Sequence, residues 1–117
     1  MILVDTSVWI YHFRRGSEQL RSLLDDKVFC HPFIVGELAC GTLRNRHEIL
    51  SLLSALPKAR DLEHEEVLHF LEGRHLYGLG LGWVDVHLLA SALLTGCTLW
   101  TLDKSLRRAA AALNILE

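Results

Sequence analysis

MILVDTSVWIYHF (residues 1–13) opens with four apolar residues, then an aspartate, then a segment whose apolar residues no longer alternate. A run of four apolar residues with no alternation suits a strand buried on both faces. Such strands belong to parallel sheets covered by helices. Asp5 ends the run where a following helix needs a cap. A second run of the same kind, CTLWTL (97–102), ends in Asp103. Between these runs lies a third strand candidate, VFCH (28–31), stopped by Pro32, which is suited to the first turn of a helix. KAR (58–60) and LNIL (113–116) are further short strand candidates, the second at an edge.

The intervening segments read as helices. SVWIYHF suits a short helix or turn closed by Arg14-Arg15-Gly16. Leu20, Leu23 and Leu24 mark a helix over 17–26, and residues 33–43 are helical despite Gly36 and Gly41. Residues 46–56 form another helix, ended by Pro57. Asp61 is the expected cap of a helix that carries Val67, Phe70 and Leu71 on its buried stripe. Residues 85–95 form the most apolar helix, with Gly96 as terminator. Residues 104–112 are the last helix. Strands alternating with helices predict one α/β domain over residues 1–117. Its core is a parallel sheet of four to five short strands with helices on both faces.

Composition narrows the function without naming it. Of the 117 residues, 50% are hydrophobic and 22% charged, which supports a packed core rather than a disordered segment. The formal net charge of −2 neither favours nor excludes a nucleic-acid partner, so only local clusters bear on that question. The three cysteines, Cys30, Cys40 and Cys97, form no C-x-x-C pair and read as buried reduced thiols of a cytoplasmic protein. No secretory signal is expected, because Asp5 interrupts the first apolar stretch. No membrane span is expected either: the longest stretch without Asp, Glu, Lys or Arg, Val86–Leu102, holds polar residues throughout. The spacing Gly78, Gly80, Gly82 fits neither a dinucleotide fingerprint nor a P-loop. It reads as a bend that aims Asp85 inward. The histidines show no H-E-x-x-H, and His87 reads as structural. No serine has the surroundings of a hydrolase nucleophile.

Four acids remain. Asp5 and Asp103 end the two buried strands, Glu37 lies in the helix after the second strand, and Asp85 starts the most apolar helix. Asp5, Asp85 and Asp103 each also stand where a helix cap serves, and Glu37 alone suits a surface position. Together they can converge on the carboxyl edge of the sheet, where parallel folds bind ligands. At ~5 Å and an effective dielectric near 20, each like-charge pair costs about 3 kcal/mol, and six pairs cost roughly 20. A hard divalent cation removes that cost. Oxygen donors alone suit Mg²⁺ or Mn²⁺ rather than zinc.

The segments ILVDTSVWI, IVGELACG, GWVDVHLLASALL and LWTLDKSL, in this order and spacing, resemble the PIN-domain ribonucleases. Among these they are similar to the VapC toxins of prokaryotic toxin–antitoxin pairs. The likeness runs from residue 1 to about residue 112. It implies a metal-dependent endoribonuclease that hydrolyses RNA phosphodiester bonds with water activated at Mg²⁺ or Mn²⁺. By position, Asp5, Glu37, Asp85 and Asp103 would hold the ion, with Thr6 and Ser7 supporting them. Many relatives carry another acid two positions after the last aspartate, where this chain has Ser105; one ion, with a second recruited by substrate, then fits better than two. Arg14, Arg15, Arg44, Arg46, Lys104, Arg107 and Arg108 follow the acidic motifs and can grip the RNA backbone, or simply be solvated helix ends. Trp9, Tyr11, Phe13 and Trp83 suit either an interface or the core. The resemblance also implies an antitoxin that inserts Arg among the carboxylates, and self-association into a homodimer. The alternative from another class is a catalytically silent PIN-like module that binds RNA or protein, in which the acids serve only as caps.

Overall fold

All three residues of strand β1 (Ile2–Val4) are buried, because a parallel partner lies on each side of it. In the computed structural model, which describes residues 1–117, β2 (Val28–Phe29) and β3 (Thr98–Trp100) flank it in the order β2–β1–β3. Both pairings are parallel, with Leu3 opposite Phe29 on one side and Leu99 on the other. The helices are α1 (Thr6–Arg15), α2 (Glu18–Leu23), α3 (Pro32–Ala39), α4 (Arg46–Ala55), α5 (His64–Gly73), α6 (Trp83–Thr95) and α7 (Lys104–Ala112). The connection from β1 to β2 leaves on one side of β1, and that from β2 to β3 returns to the other. The connection from β2 to the Lys58 rung moves outward in the same direction as that from β1 to β2, so right-handed crossovers set α1 to α4 against one face, where α1 packs on α3, and α5 and α6 against the other.

The sheet has three strands, not four to five. The two extra pieces exist as single rungs: Cys30 pairs with Lys58, and Leu99 with Leu116. Each stops for a local reason. After Lys58 the Arg60 amide turns away to Thr95 Oγ1 at 2.9 Å. Before Leu116 the Ile115 amide bonds back to Ala110 O of α7 at 2.9 Å. With their next donors spent elsewhere, neither segment can extend its ladder.

Several helix boundaries differ from expectation: the helix expected over 17–26 ends at Leu23 and that over 33–43 at Ala39. The segment after Asp5 takes the helical one of its two readings, as a ten-residue helix capped by Asp5 and ended at Gly16. Asp61 caps nothing: α5 begins at His64, and the Glu63 amide donates to Glu66 Oε1 at 3.0 Å, half of a capping box. The most apolar helix starts two residues earlier than Asp85, with Gly82 as its cap residue. Every residue from Val86 to Ala92 is buried, as expected of a helix enclosed on all sides. Helix α6 packs on β3, α5 and α7. Its Leu88 and Leu89 join Leu3, Val4, Leu99 and Leu106 in a single core cluster. Trp9 belongs to this core, whereas Tyr11 is exposed and Phe13 and Trp83 are half-buried. Cys30 and Cys97 are buried free thiols, pushed up by burial, but Cys40 is exposed. No helix is long and apolar enough to cross a membrane.

Candidate active site

The β1–β3 register decides the geometry at the carboxyl edge. Val4 pairs with Trp100, and one further bond, Asp5 N to Trp100 O at 2.9 Å, carries the pairing past the strands. Asp5 and Thr101 thus emerge side by side, in the crevice where the chain direction switches across the sheet. Both are buried. Asp5 Oδ2 accepts from Thr101 Oγ1 at 2.8 Å and from Ser7 Oγ at 2.7 Å. Each hydroxyl also accepts a backbone amide: Thr101 Oγ1 that of Asp103 at 3.1 Å, Ser7 Oγ that of Leu102 at 3.0 Å. Because each hydroxyl has only one proton, and Asp5 takes both, the 3.3 Å approach of Ser7 to Thr101 is contact rather than a third bond. The turn after β3 is therefore tied to Asp5 through two hydroxyls.

The other acids arrive from three helices. Glu37, on α3, accepts from Thr6 Oγ1 of α1 at 2.6 Å. Asp103 caps α7, with Oδ2 accepting the Leu106 amide at 2.9 Å. Asp85 stands in the first turn of α6 and accepts the Gly82 amide at 2.9 Å. Burial pushes the Asp85 carboxyl above its ordinary range. The Gly82 N–H opposes this, and the charges of Asp5, Asp103 and Glu37 add to it. All four expected acids therefore share one electrostatic pocket. Their oxygens still stand too far apart for any three to lie within the 4.8 Å that a trio of donors on one ion needs, each being held by its own hydroxyl or amide. A pocket of oxygen donors that raises one of its own carboxyls fits a hard divalent cation.

The glycine bend lies over this edge. Gly80 has φ +79°, and a Cβ there would stand 3.1 Å from Ser105 Oγ, so the 78–82 loop approaches the first turn of α7 closely. The basic residues divide. Arg14 and Arg44 line a groove of about 710 Å³ together with Glu37, Ile10, Phe13 and Leu38. Arg46 is engaged elsewhere, bonding Ala39 O at 2.6 Å and Gly41 O at 3.1 Å to close the end of α3. Arg107 reaches Thr101 O at 3.3 Å. Arg15, Lys104 and Arg108 are exposed.

Sequence reasoning did not find Thr101. Its signal is a hydroxyl at the end of an otherwise apolar strand, two residues before an aspartate. Thr101→Val keeps the shape but removes the donor to Asp5 and the acceptor for Asp103. We expect a loss of roughly 10–100-fold in divalent-ion affinity, the usual cost of removing an outer-shell partner, with Thr101→Ser retaining most of it. Calorimetric titration with Mn²⁺ checks this; equal affinity in the Val variant would refute the role.

A PIN domain family model matches residues 2–112, and the chain belongs to the PIN domain family. It is similar to Ribonuclease VapC32 of Mycobacterium tuberculosis. Identity is 49% over 113 residues, covering 95% of this chain and 91% of the relative, in both strain CDC 1551 / Oshkosh and strain ATCC 25618 / H37Rv.

Proposed function

We propose that this chain, as one PIN-like unit over residues 1–117, is a metal-dependent endoribonuclease and the toxin of a toxin–antitoxin pair. The observation that carries this reading is the shared field of Asp5, Glu37, Asp85 and Asp103 at the carboxyl edge of β1 and β3. The likeness to a named ribonuclease over nearly the whole chain supports it. The silent-module alternative treats the acids as caps. Glu37 does not fit that role: it caps no helix and is an exposed residue of α3 whose carboxylate accepts from Thr6 of α1.

The four acids would hold Mg²⁺ or Mn²⁺ once their oxygens draw together, and the bound ion would supply Lewis acidity at the scissile phosphate and lower the pKa of water. Ser7 and Thr101 fix the Asp5 carboxylate through its Oδ2, leaving Oδ1 for the ion. Thr6 does the same for Glu37. Arg14 and Arg44, beside Glu37 in the groove, grip phosphates that the acids alone would repel. Arg15 and Lys104, both exposed, extend this basic margin, whereas Arg46 and Arg107 are held by backbone carbonyls. With Ser105 under the glycine bend in place of an acid, the pocket holds one ion tightly. An antitoxin segment carrying Arg neutralises the same carboxylates, the toxin pairs with a second copy of itself, and it works in the cytoplasm.

Incubating the purified chain with mixed structured RNAs and Mg²⁺ or Mn²⁺ tests the proposal. Cleavage is expected, stopped by EDTA and restored by excess Mn²⁺. RNA bound but uncut with either ion would establish the silent module instead.

A further inference from the structure

We propose that His31, His87 and Asp61 form a second metal site, for Zn²⁺ or a neighbouring transition cation, distinct from the acid pocket. One ring nitrogen from each histidine and a carboxylate oxygen of Asp61 lie within 4.8 Å of one another. They come from three separate elements: the residue before α3, the loop before α5, and α6. Phe33 and Trp83 wall the site, with ring centroids 4.6 and 4.9 Å from that of His87.

Two polar atoms point to a missing ligand. His31 is fully buried, and its Nδ1 accepts the Phe33 amide at 3.0 Å. The uncharged ring therefore carries its proton on Nε2. That Nε2 has no hydrogen-bond partner; Asp61 Oδ1 stands 3.6 Å away, beyond bonding length. His87 is 4% exposed, and its Nδ1 is likewise buried without a partner. Four buried side-chain atoms lack a partner, Trp9 Nε1, Ser91 Oγ and these two ring nitrogens; only the two imidazoles share a neighbouring carboxylate with which they group, and leaving both unpaired is costly.

The donor set is two imidazoles and one carboxylate. It matches zinc sites with three protein ligands and an open fourth position, and it differs from the oxygen-only acid pocket. Bonds of ~2.0 Å in a tetrahedron space ligand atoms by about 3.3 Å, so the trio must contract only modestly. Ligation through His31 Nε2 requires its proton to move to Nδ1 by exchange with solvent. No net proton is released from that ring, but the Phe33 amide loses its acceptor. Cation uptake therefore loosens the first turn of α3, the helix that carries Glu37.

Titrating Zn²⁺ into the full chain by calorimetry tests this, with Asp5→Asn as background to weaken the acid pocket. One Zn²⁺ per chain is expected. Affinity should fall at least tenfold in Asp61→Ala, an exposed position that the fold tolerates, and at least 100-fold in His87→Ala. The ring-nitrogen resonances of His31 and His87 and the Phe33 amide should shift on Zn²⁺ addition. Absence of Zn²⁺ binding up to millimolar concentration overturns the proposal. So does unchanged affinity in Asp61→Ala, or Zn²⁺ binding that leaves both imidazoles unmoved. The readout is independent of RNA cleavage, so it stands whether or not the nuclease reading does.

Discussion

Asp85→Asn is expected to remove nearly all RNA cleavage under the proposed function and, in the metal-free chain at neutral pH, to raise the melting temperature. The two effects have one cause. Asp85 lies beside three other acids, and burial with their charge pushes its carboxyl up. Asparagine keeps an oxygen for the Gly82 amide but abolishes the charge. Losing one ligand of a catalytic ion removes several kcal/mol of transition-state stabilisation, about 10²–10³-fold in rate. The stability effect follows from linkage. A carboxyl whose folded pKa is raised contributes fully below its ordinary value of 3.8 and loses that contribution as pH rises through the raised value. The metal-free wild type therefore weakens relative to Asp85→Asn from about pH 4 upward, and the gap closes in more acidic solution. Mg²⁺ or Mn²⁺ reverses the order, since an ion that binds only the folded state adds about 2.7 kcal/mol at 100 times its Kd. Scanning calorimetry of both chains at several pH values, with and without Mn²⁺, checks this. A less stable metal-free variant at neutral pH would contradict the shared-pocket reading.

Leu99→Ala is expected to cost about 3–4 kcal/mol. Leu99 is fully buried, sits opposite Leu3 in β3, and belongs to the core cluster. Truncation removes its transfer energy and leaves a cavity in a sheet too short to relax around it. Against a total stability of roughly 5–15 kcal/mol, this amounts to a drop of ~10–20 °C in Tm. Leu52→Ala, at a position 62% exposed, serves as control and should stay within about 0.5 kcal/mol. Urea denaturation measures both. Since β3 delivers Thr101 and Asp103, cleavage near the lowered Tm should fall in step with the folded fraction.

Much of this was legible in the residues, and the reasons differ from place to place. MILV and CTLWTL declare themselves because strands buried on both faces are continuous apolar runs, and the acids after them mark the carboxyl edge. Pro32 and Gly96 sit where a helix start and stop require them. KAR and LNIL also lie beside the sheet. Whether a segment makes one rung or a strand depends on where the next amide goes, and Thr95 and Ala110 are far off in the chain or already in a helix. Asp61 looked like a cap because local propensity cannot rank it against Glu63, whose partner Glu66 decides the matter. The four acids were visible as a set, since each looks costly where it stands. Thr101 and the His31–Asp61–His87 trio were not, because their roles arise only from cross-chain juxtaposition. His31 in particular reads as an ordinary residue before a proline.

One rung, Val4 against Trp100, aligns Asp5 with Thr101, so tolerance to insertion is unequal along this chain. The long excursion from Cys30 to Cys97 can gain or shed residues in its loops at little entropic expense. A single residue added between Leu99 and Asp103 would instead throw the hydroxyl and the aspartate out of step. Length changes are thus tolerable in the loops of the excursion, away from the helices that carry Glu37 and Asp85, and not in the β3 turn.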